Sequence, residues 1–219
     1  YTLATTPPMA PVLLVLDAAQ QKAPLETAPS IPRLSLPKFP SADINSVKEI
    51  ARLLVDADNP RINTGQAART QEGIDLLVEL AELLQLPVNG VSNRLNFPSR
   101  HPLQGTGTGV PDLILNLEPG ARIGATPSTP RPSRPSAAST DSSELTTVTI
   151  SSAEFLVTSN FNVFGNGAGN ADLLIAADAQ ATLPALIEEV RRLITGDRQR
   201  FFSDRGKKIA DVHARARRR

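Results

Sequence analysis

Three glycines at alternate positions, Gly105, Gly107 and Gly109, form the segment GTGTG, which has the composition of a phosphate-binding loop. Phosphate-binding glycine loops follow a strand and begin a helix, so that backbone N–H groups converge on the anion at the helix N-terminus. Here the glycines come before the apolar run PDLILNL, which predicts a strand. This order favours a connecting loop, with a nucleotide contact as the alternative.

Two further candidates follow predicted strands. Ser151 comes after TTVTI, whose β-branched residues favour a strand, and Asp178 comes directly after the apolar run 173–177. Open α/β sheets bind ligands at the carboxyl ends of their strands, where a carboxylate can accept hydrogen bonds from a ribose. Asp178 is also suited to accept hydrogen bonds from nearby backbone N–H groups. The structural role is the preferred interpretation, and ligand binding is the alternative.

Composition argues against several classes of function. The chain has no cysteine, which excludes disulfides and thiolate metal sites and fits a cytoplasmic protein. His101 and His213 stand apart in the sequence, so neither predicts a metal site. The net charge is +1 and the aromatic residues are seven Phe and one Tyr, which argues against nucleic-acid binding. No apolar run is long enough to cross a membrane, and no nucleophile elbow is present.

Helical periodicity predicts the elements that would position these residues. Val47, Ile50, Ala51 and Leu54 share one face of a helix that Ser46 is expected to cap. A second amphipathic helix follows Thr70, and a third follows its predicted N-cap Thr182. Gly196 is expected to end the third helix, and the basic tail beyond it is predicted to be helical.

Short apolar runs between these helices predict a mainly parallel sheet. PVLLVLD, residues 11–17, is predicted to be a buried strand, and further strands are expected in LPVNGVS, PDLILNLE and TTVTIS. RINTG, residues 61–65, is an unusually polar strand candidate. Either that strand lies at an edge of the sheet, or this copy has diverged from a functional ancestor. The predicted fold class is α/β: a Rossmann-like, mainly parallel sheet with helices on both faces.

Proline and charge divide the chain into segments. Five prolines in residues 18–44 predict an interdomain linker, and residues 45–196 are predicted to form the central Rossmann-like domain. Within that domain, residues 119–143 are rich in Pro, Ser, Thr and Ala and predict a low-complexity loop. Residues 197–219 are interpreted as a basic connector helix. The sequence begins with Tyr1 and not Met, so we interpret it as a piece of a longer protein.

Several of these segments resemble the thiamine diphosphate-dependent enzymes of the acetolactate synthase, benzoylformate decarboxylase and pyruvate decarboxylase superfamily. PVLLVLD resembles the last strand of that family's N-terminal, pyrimidine-binding domain, which assigns residues 1–17 to the end of it. VKEIARLLVDADNP and EGIDLLVELAELLQLPV resemble the opening of its central domain. FPSRHPL matches a family loop, and ADLLIAADAQATLPALIEEV resembles the last central strand and helix. The order of these segments is more specific than any one of them.

The resemblance implies a parent enzyme that uses thiamine diphosphate and Mg²⁺ to decarboxylate a 2-oxo acid or to join the product to a second carbonyl compound, as a lyase or transferase. It implies that the catalytic Glu and the Gly-Asp-Gly motif lie in N- and C-terminal domains that are missing here. This chain alone is expected to be inactive, with no catalytic or metal residue, and the parent to be a homodimer or homotetramer.

Family members that bind flavin leave one alternative open. The flavin-binding relatives have glycines at positions near Gly105, Gly107 and Gly109 of this chain. They carry acidic residues where this chain has Ser151, and this chain keeps an acidic residue at Asp178. These five residues are therefore the candidate contacts for FAD or ADP. The loss of the acids weakens the expectation of FAD. A structural module without any ligand is the third hypothesis.

Overall fold

The computed structural model describes residues 1–6, 11–22, 38–90, 95–105, 107–119, 145–152 and 171–216, together with residues 24, 27, 30, 33 and 35. The chain divides into two compact units, Tyr1–Phe39 and Pro40–Arg219. Most of the predicted loop 119–143 lies outside the described residues.

In the part of the first unit that the structure describes, the short helices are α1 (Thr2–Thr5) and α2 (Ala18–Lys22). The prediction that residues 11–17 form a buried strand is wrong, because this segment has no regular secondary structure and its side chains are exposed, Leu13 by 88%. A buried parallel strand needs neighbouring strands to satisfy its backbone and cover its side chains. Within the described part of the chain, no strand pairs with it.

The second unit is built on a five-stranded parallel sheet with the strand order β2-β1-β3-β4-β5. The sheet and its helices form a Rossmann-like α/β arrangement, as predicted. The strands are β1 (Pro60–Thr64), β2 (Val88–Gly90), β3 (Leu113–Leu117), β4 (Thr146–Ile150) and β5 (Leu173–Ile175).

The two faces of this sheet differ in chemistry. Ile62, Leu115 and Val148 align across three strands and belong to the apolar core. The next residue on each strand points to the opposite face, where the amides of Asn89, Asn63 and Asn116 and the hydroxyl of Thr149 form a ladder. Its three hydrogen bonds measure 3.1 to 3.3 Å.

This ladder explains the polar sequence of β1. β1 is an inner strand, with β2 on one side and β3 on the other, so the interpretation that RINTG lies at an edge is wrong. Asn63 is tolerated there because neighbouring strands supply amide partners in the same register. The alternation of apolar and polar residues therefore reflects one apolar face and one polar face.

The described residues of the second unit form the helices α3 (Ile44–Asp56), α4 (Gln71–Leu84), α5 (Ala179–Leu193) and α6 (Gly196–Ala216). Helix α5 contacts both α3 and α4. None of the described helices is long and apolar enough to span a bilayer.

Three predicted helix ends change in the structure. Thr70 caps α4 as predicted, but the N-cap of α3 is Asp43 and not Ser46, and the N-cap of α5 is Asp178 and not Thr182. In both helices an aspartate earlier in the chain accepts the first N–H groups. Gly196 begins α6 and does not end α5, because α5 already ends at Leu193.

Candidate functional site

Polar residues collect at the carboxyl edge of the sheet, where β1, β3 and β4 end. Gly65 and Glu118 directly follow β1 and β3, and Ser151 and Ser152 follow β4. The two loops touch at Gly65, since a Cβ there would lie 2.1 Å from the Glu118 carbonyl oxygen. Only glycine fits this close approach.

The Glu118 side chain lies at the centre of this edge and is 6% exposed. Its carboxylate accepts the Ser152 backbone N–H at 3.0 Å from each oxygen and the Ser152 hydroxyl at 3.0 Å. The Ser151 hydroxyl at 3.4 Å and the Ala179 N–H at 3.3 Å complete the set. Because Ala179 is the first residue of α5, the carboxylate lies at a helix N-terminus, where negative charge is stabilised.

Burial raises the pKa of the Glu118 carboxyl group above its ordinary value of 4.5. The hydrogen bonds from Ser152 and Ala179 act in the opposite direction, and the negative charge of Asp178 adds to the increase. Desolvation and a like charge thus outweigh the donors that favour the ionised form.

Asp178 pairs with Arg69 beside this carboxylate. The Arg69 guanidinium lies 2.6 Å from Asp178 Oδ2, and the side chains are 9% and 1% exposed. Asp178 Oδ1 accepts the Ala181 N–H at 2.8 Å as the N-cap of α5. Within the chain, Asp178 Oδ1 thus acts as a helix-cap acceptor and Oδ2 as an ion-pair partner, and a ligand contact by Asp178 stays a prediction.

Side chains also join the N-termini of α4 and α5 at this edge. Gln180 accepts the Arg69 N–H at 2.8 Å and donates to the Thr70 hydroxyl at 2.8 Å. Asn96, buried in the connection between β2 and β3, accepts the Ala68 N–H and donates to the Gly65 carbonyl. The loop after β1 is thereby fixed from both sides.

The candidate glycines lie at the opposite, amino edge of the sheet. Gly105 donates to the carbonyl of Val88, the first residue of β2. Gly107 has a φ of +69° and approaches Pro87, and the Asn59 amide holds the carbonyls on either side of Gly109. The structure thus brings Ser151 and Asp178 together and separates them from all three glycines. Nucleotide binding by these residues stays a prediction.

At the amino edge, a buried arginine donates hydrogen bonds to the ends of two helices. Arg205 of α6 is 8% exposed and donates to the carbonyls of Ala57 and Asp58 after α3, and of Leu84 and Gln85 at the end of α4. One guanidinium therefore satisfies C-terminal carbonyl groups of two helices. Burial lowers the pKa of Arg205 to about 10, and the nearby Arg198 adds to this effect.

A cavity of about 610 Å³ lies between α4, α6 and the loop at residues 101–103. Phe202, Glu82 and Lys207 are among its lining residues. His101 at its rim approaches Glu82 Oε1 to 3.1 Å through Nε2, and its Nδ1 accepts the Leu103 N–H. Both ring nitrogens of His101 therefore have partners within the chain.

Sequence reasoning missed Glu118, Arg69 and Arg205. Glu118 is the last residue of the predicted strand PDLILNLE, so the rule that placed Ser151 and Asp178 at the carboxyl edge applied to it as well. Arg205 stood in a tail interpreted as a solvated connector, although Phe202 and Ile209 on the same helix are core residues. Among the described residues, no group of three or more His, Cys, Asp or Glu side chains could hold a metal ion.

Solved structures contain segments similar to this chain. Benzoylformate decarboxylase from Polynucleobacter necessarius matches with a TM-score of 0.53 and 20% identity over 87% of this chain. A putative thiamin diphosphate-dependent enzyme from Mycobacterium smegmatis matches with a TM-score of 0.57 and 20% identity over 87%. What they share with this chain is the fold. The structural resemblance predicted from the sequence is confirmed at that level.

This chain spans about a third of the length of those enzymes, 34% of the first and 36% of the second. No protein-family model matches the sequence, and no curated protein matches it.

Proposed function

We propose that this chain is the central scaffold domain of a thiamine diphosphate-dependent, acetolactate synthase-like enzyme acting on a 2-oxo acid such as pyruvate or benzoylformate. The observation that carries the proposal is the fold shared over 87% of the chain with a benzoylformate decarboxylase and with a putative thiamin diphosphate-dependent enzyme. The parent would decarboxylate its substrate or transfer the resulting carbanion to a second carbonyl compound. Its cytoplasmic location and its assembly as a homodimer or homotetramer are part of the same proposal.

In this proposal the chemistry lies in N- and C-terminal domains of the parent polypeptide. Thiamine diphosphate would supply the carbanion chemistry there, with Mg²⁺ holding the diphosphate. The sequence contains no Gly-Asp-Gly motif, which supports this division of roles. The chain itself would contribute a rigid sheet and surfaces against which the other domains pack.

The contacts at the two edges of the sheet support a scaffold role. Glu118 fills the carboxyl edge, where Rossmann-like sheets bind ligands, and Arg205 joins two helix ends at the amino edge. Both side chains are buried and are held by backbone groups of this chain. Such residues stabilise an architecture and need no substrate to be satisfied.

Two measurements test the proposal. Reading the gene outward from Tyr1 and Arg219 should reveal an upstream domain with an activating Glu and a downstream Gly-Asp-Gly motif. Stop and start codons directly flanking the 219 codons would overturn it. The purified chain, incubated with thiamine diphosphate, Mg²⁺ and benzoylformate or pyruvate, should release CO₂ no faster than the cofactor alone. A higher rate would place catalytic groups within this chain.

A further inference from the structure

Four hydrogen-bond donors at the carboxyl edge form a cradle for one carboxylate. They are the N–H groups of Ser152 and Ala179 and the hydroxyls of Ser151 and Ser152. They come from two different elements, the end of β4 and the first turn of α5. Convergent N–H groups at a helix N-terminus are the usual protein solution for binding an oxyanion.

The occupant of this cradle belongs to the chain itself. The backbone of Glu118 is fixed on both sides, because its N–H donates to the Ile150 carbonyl at 2.9 Å and its carbonyl accepts the Gln66 N–H at 2.8 Å. Its φ is +43°, a left-handed conformation that is uncommon for a glutamate. The backbone thus accepts an unfavourable conformation while the carboxylate lies among the donors.

The charges of the described residues around the cradle oppose an occupant with more than one negative charge. Asp178 lies close enough to oppose a second anion, as its effect on Glu118 shows. Among the described residues at this edge, Arg69 is the cation, and it is paired with Asp178 at 2.6 Å. A diphosphate would bring more negative charge than these groups balance, and it would have to displace a buried side chain. The described residues at this edge therefore do not fit FAD or ADP.

We propose that the donors of Ser151, Ser152 and Ala179 form a monocarboxylate-binding site whose resident ligand is the Glu118 side chain. The wild-type chain consequently excludes phosphates and nucleotides from the carboxyl edge. Once the side chain is shortened, the same donors bind a small free carboxylate such as formate or acetate. This inference is independent of the reaction of the parent enzyme.

The test is chemical rescue of the Glu118→Ala variant at pH 8. Sodium formate should raise the melting temperature of the variant in a saturable manner, by roughly 5 °C at a concentration about 100-fold above Kd. Sodium chloride at equal ionic strength, wild-type protein in formate and the surface variant Glu82→Ala in formate should show no saturable increase. Phosphate and ADP should not stabilise the wild-type chain.

An equal response of Glu118→Ala to formate and chloride would overturn the proposal, and so would saturable stabilisation of the wild-type chain by ADP or phosphate. The double variant Glu118→Ala, Ser152→Ala should bind formate about tenfold more weakly, because one donor is lost. An unchanged affinity would place the formate elsewhere. If Glu118→Ala is isolated unfolded, its refolding yield in formate should exceed that in chloride, and equal yields would contradict the proposal.

Discussion

At the carboxyl edge of the sheet a buried carboxylate accepts N–H groups at the start of a helix, whereas at the amino edge a buried guanidinium donates to carbonyls at the ends of two helices. Glu118 and Arg205 are thus electrostatic opposites, each matched to the partial charge of the helix ends it meets. At both edges, backbone groups at helix ends are therefore hydrogen-bonded by side chains of the same chain. Substitutions at each edge test whether the two arrangements are equally important.

The largest loss of folding stability is expected from a substitution at the amino edge. Arg205→Ala should lower the free energy of unfolding by about 3 kcal/mol, because carbonyls after α3 and at the end of α4 lose a charged donor while buried. Urea denaturation measures the change. Arg200→Ala on the same helix is the matched control, since Arg200 is exposed and pairs only with Asp197 among the described residues, so the loss should be below about 0.5 kcal/mol. Equal decreases in the free energy of unfolding of the two variants would show that the hydrogen bonds of Arg205 to the two helix ends do not stabilise the fold.

The next effect is expected where two loops touch at the carboxyl edge. Gly65→Ala should cost about 2 kcal/mol, because the new Cβ would lie 2.1 Å from the Glu118 carbonyl oxygen and the loops must separate. The control is Gly90→Ala at the end of β2, where a Cβ meets nothing within 4 Å. If thermal unfolding shows both variants equally stable, the contact between these loops is looser than the structure indicates.

A smaller effect is expected from the polar face between the two edges. Asn63→Ala should cost about 1 kcal/mol, because Asn63 makes two of the three ladder hydrogen bonds. Asn89→Ala removes only one of them and should cost less. Equal stability of both variants and the wild type, measured by urea denaturation, would mean that water replaces the ladder without loss.

The fold was predictable where a pattern repeats locally. The apolar spacing in α4 and the apolar runs of β3 and β5 indicated their elements correctly. Residues 11–17 have the same apolar character, but a strand also requires partners, and composition cannot supply them. The caps shifted to Asp43 and Asp178 because the two helices begin earlier than predicted. Asp43 accepts the N–H groups of Asn45 and Ser46, and Asp178 accepts that of Ala181.

The candidate site was harder to predict because the residues that hydrogen-bond to one another there are distant in sequence. Glu118 meets Ser152 and Ala179 only when β3, β4 and α5 are side by side, and Arg205 reaches carbonyls about 120 and 147 residues away. A single residue pattern does not encode such contacts. What the sequence did indicate is the edge at which polar residues collect, since Ser151 and Asp178 both lie there.

The smallest expected effect is a change in the pH dependence of folding stability when Glu118 at the carboxyl edge is replaced. Burial raises the pKa of Glu118 in the folded chain above the ordinary value of 4.5, so the unfolded chain releases this proton at lower pH. Below about pH 4.5 the carboxyl group is protonated in both states, and its contribution to stability is fully present. As the pH rises through the folded pKa, that contribution is lost.

The stability of the wild type minus that of Glu118→Gln should therefore fall as the pH rises above 4.5, and then level off. Urea denaturation of both proteins across the acidic and neutral range measures this difference, in which the other carboxyl groups cancel. A difference that rises with pH would mean that the donors of Ser152 and Ala179 outweigh desolvation. The carboxyl edge would then match the amino edge more closely, because both would favour the charged form of their central side chain.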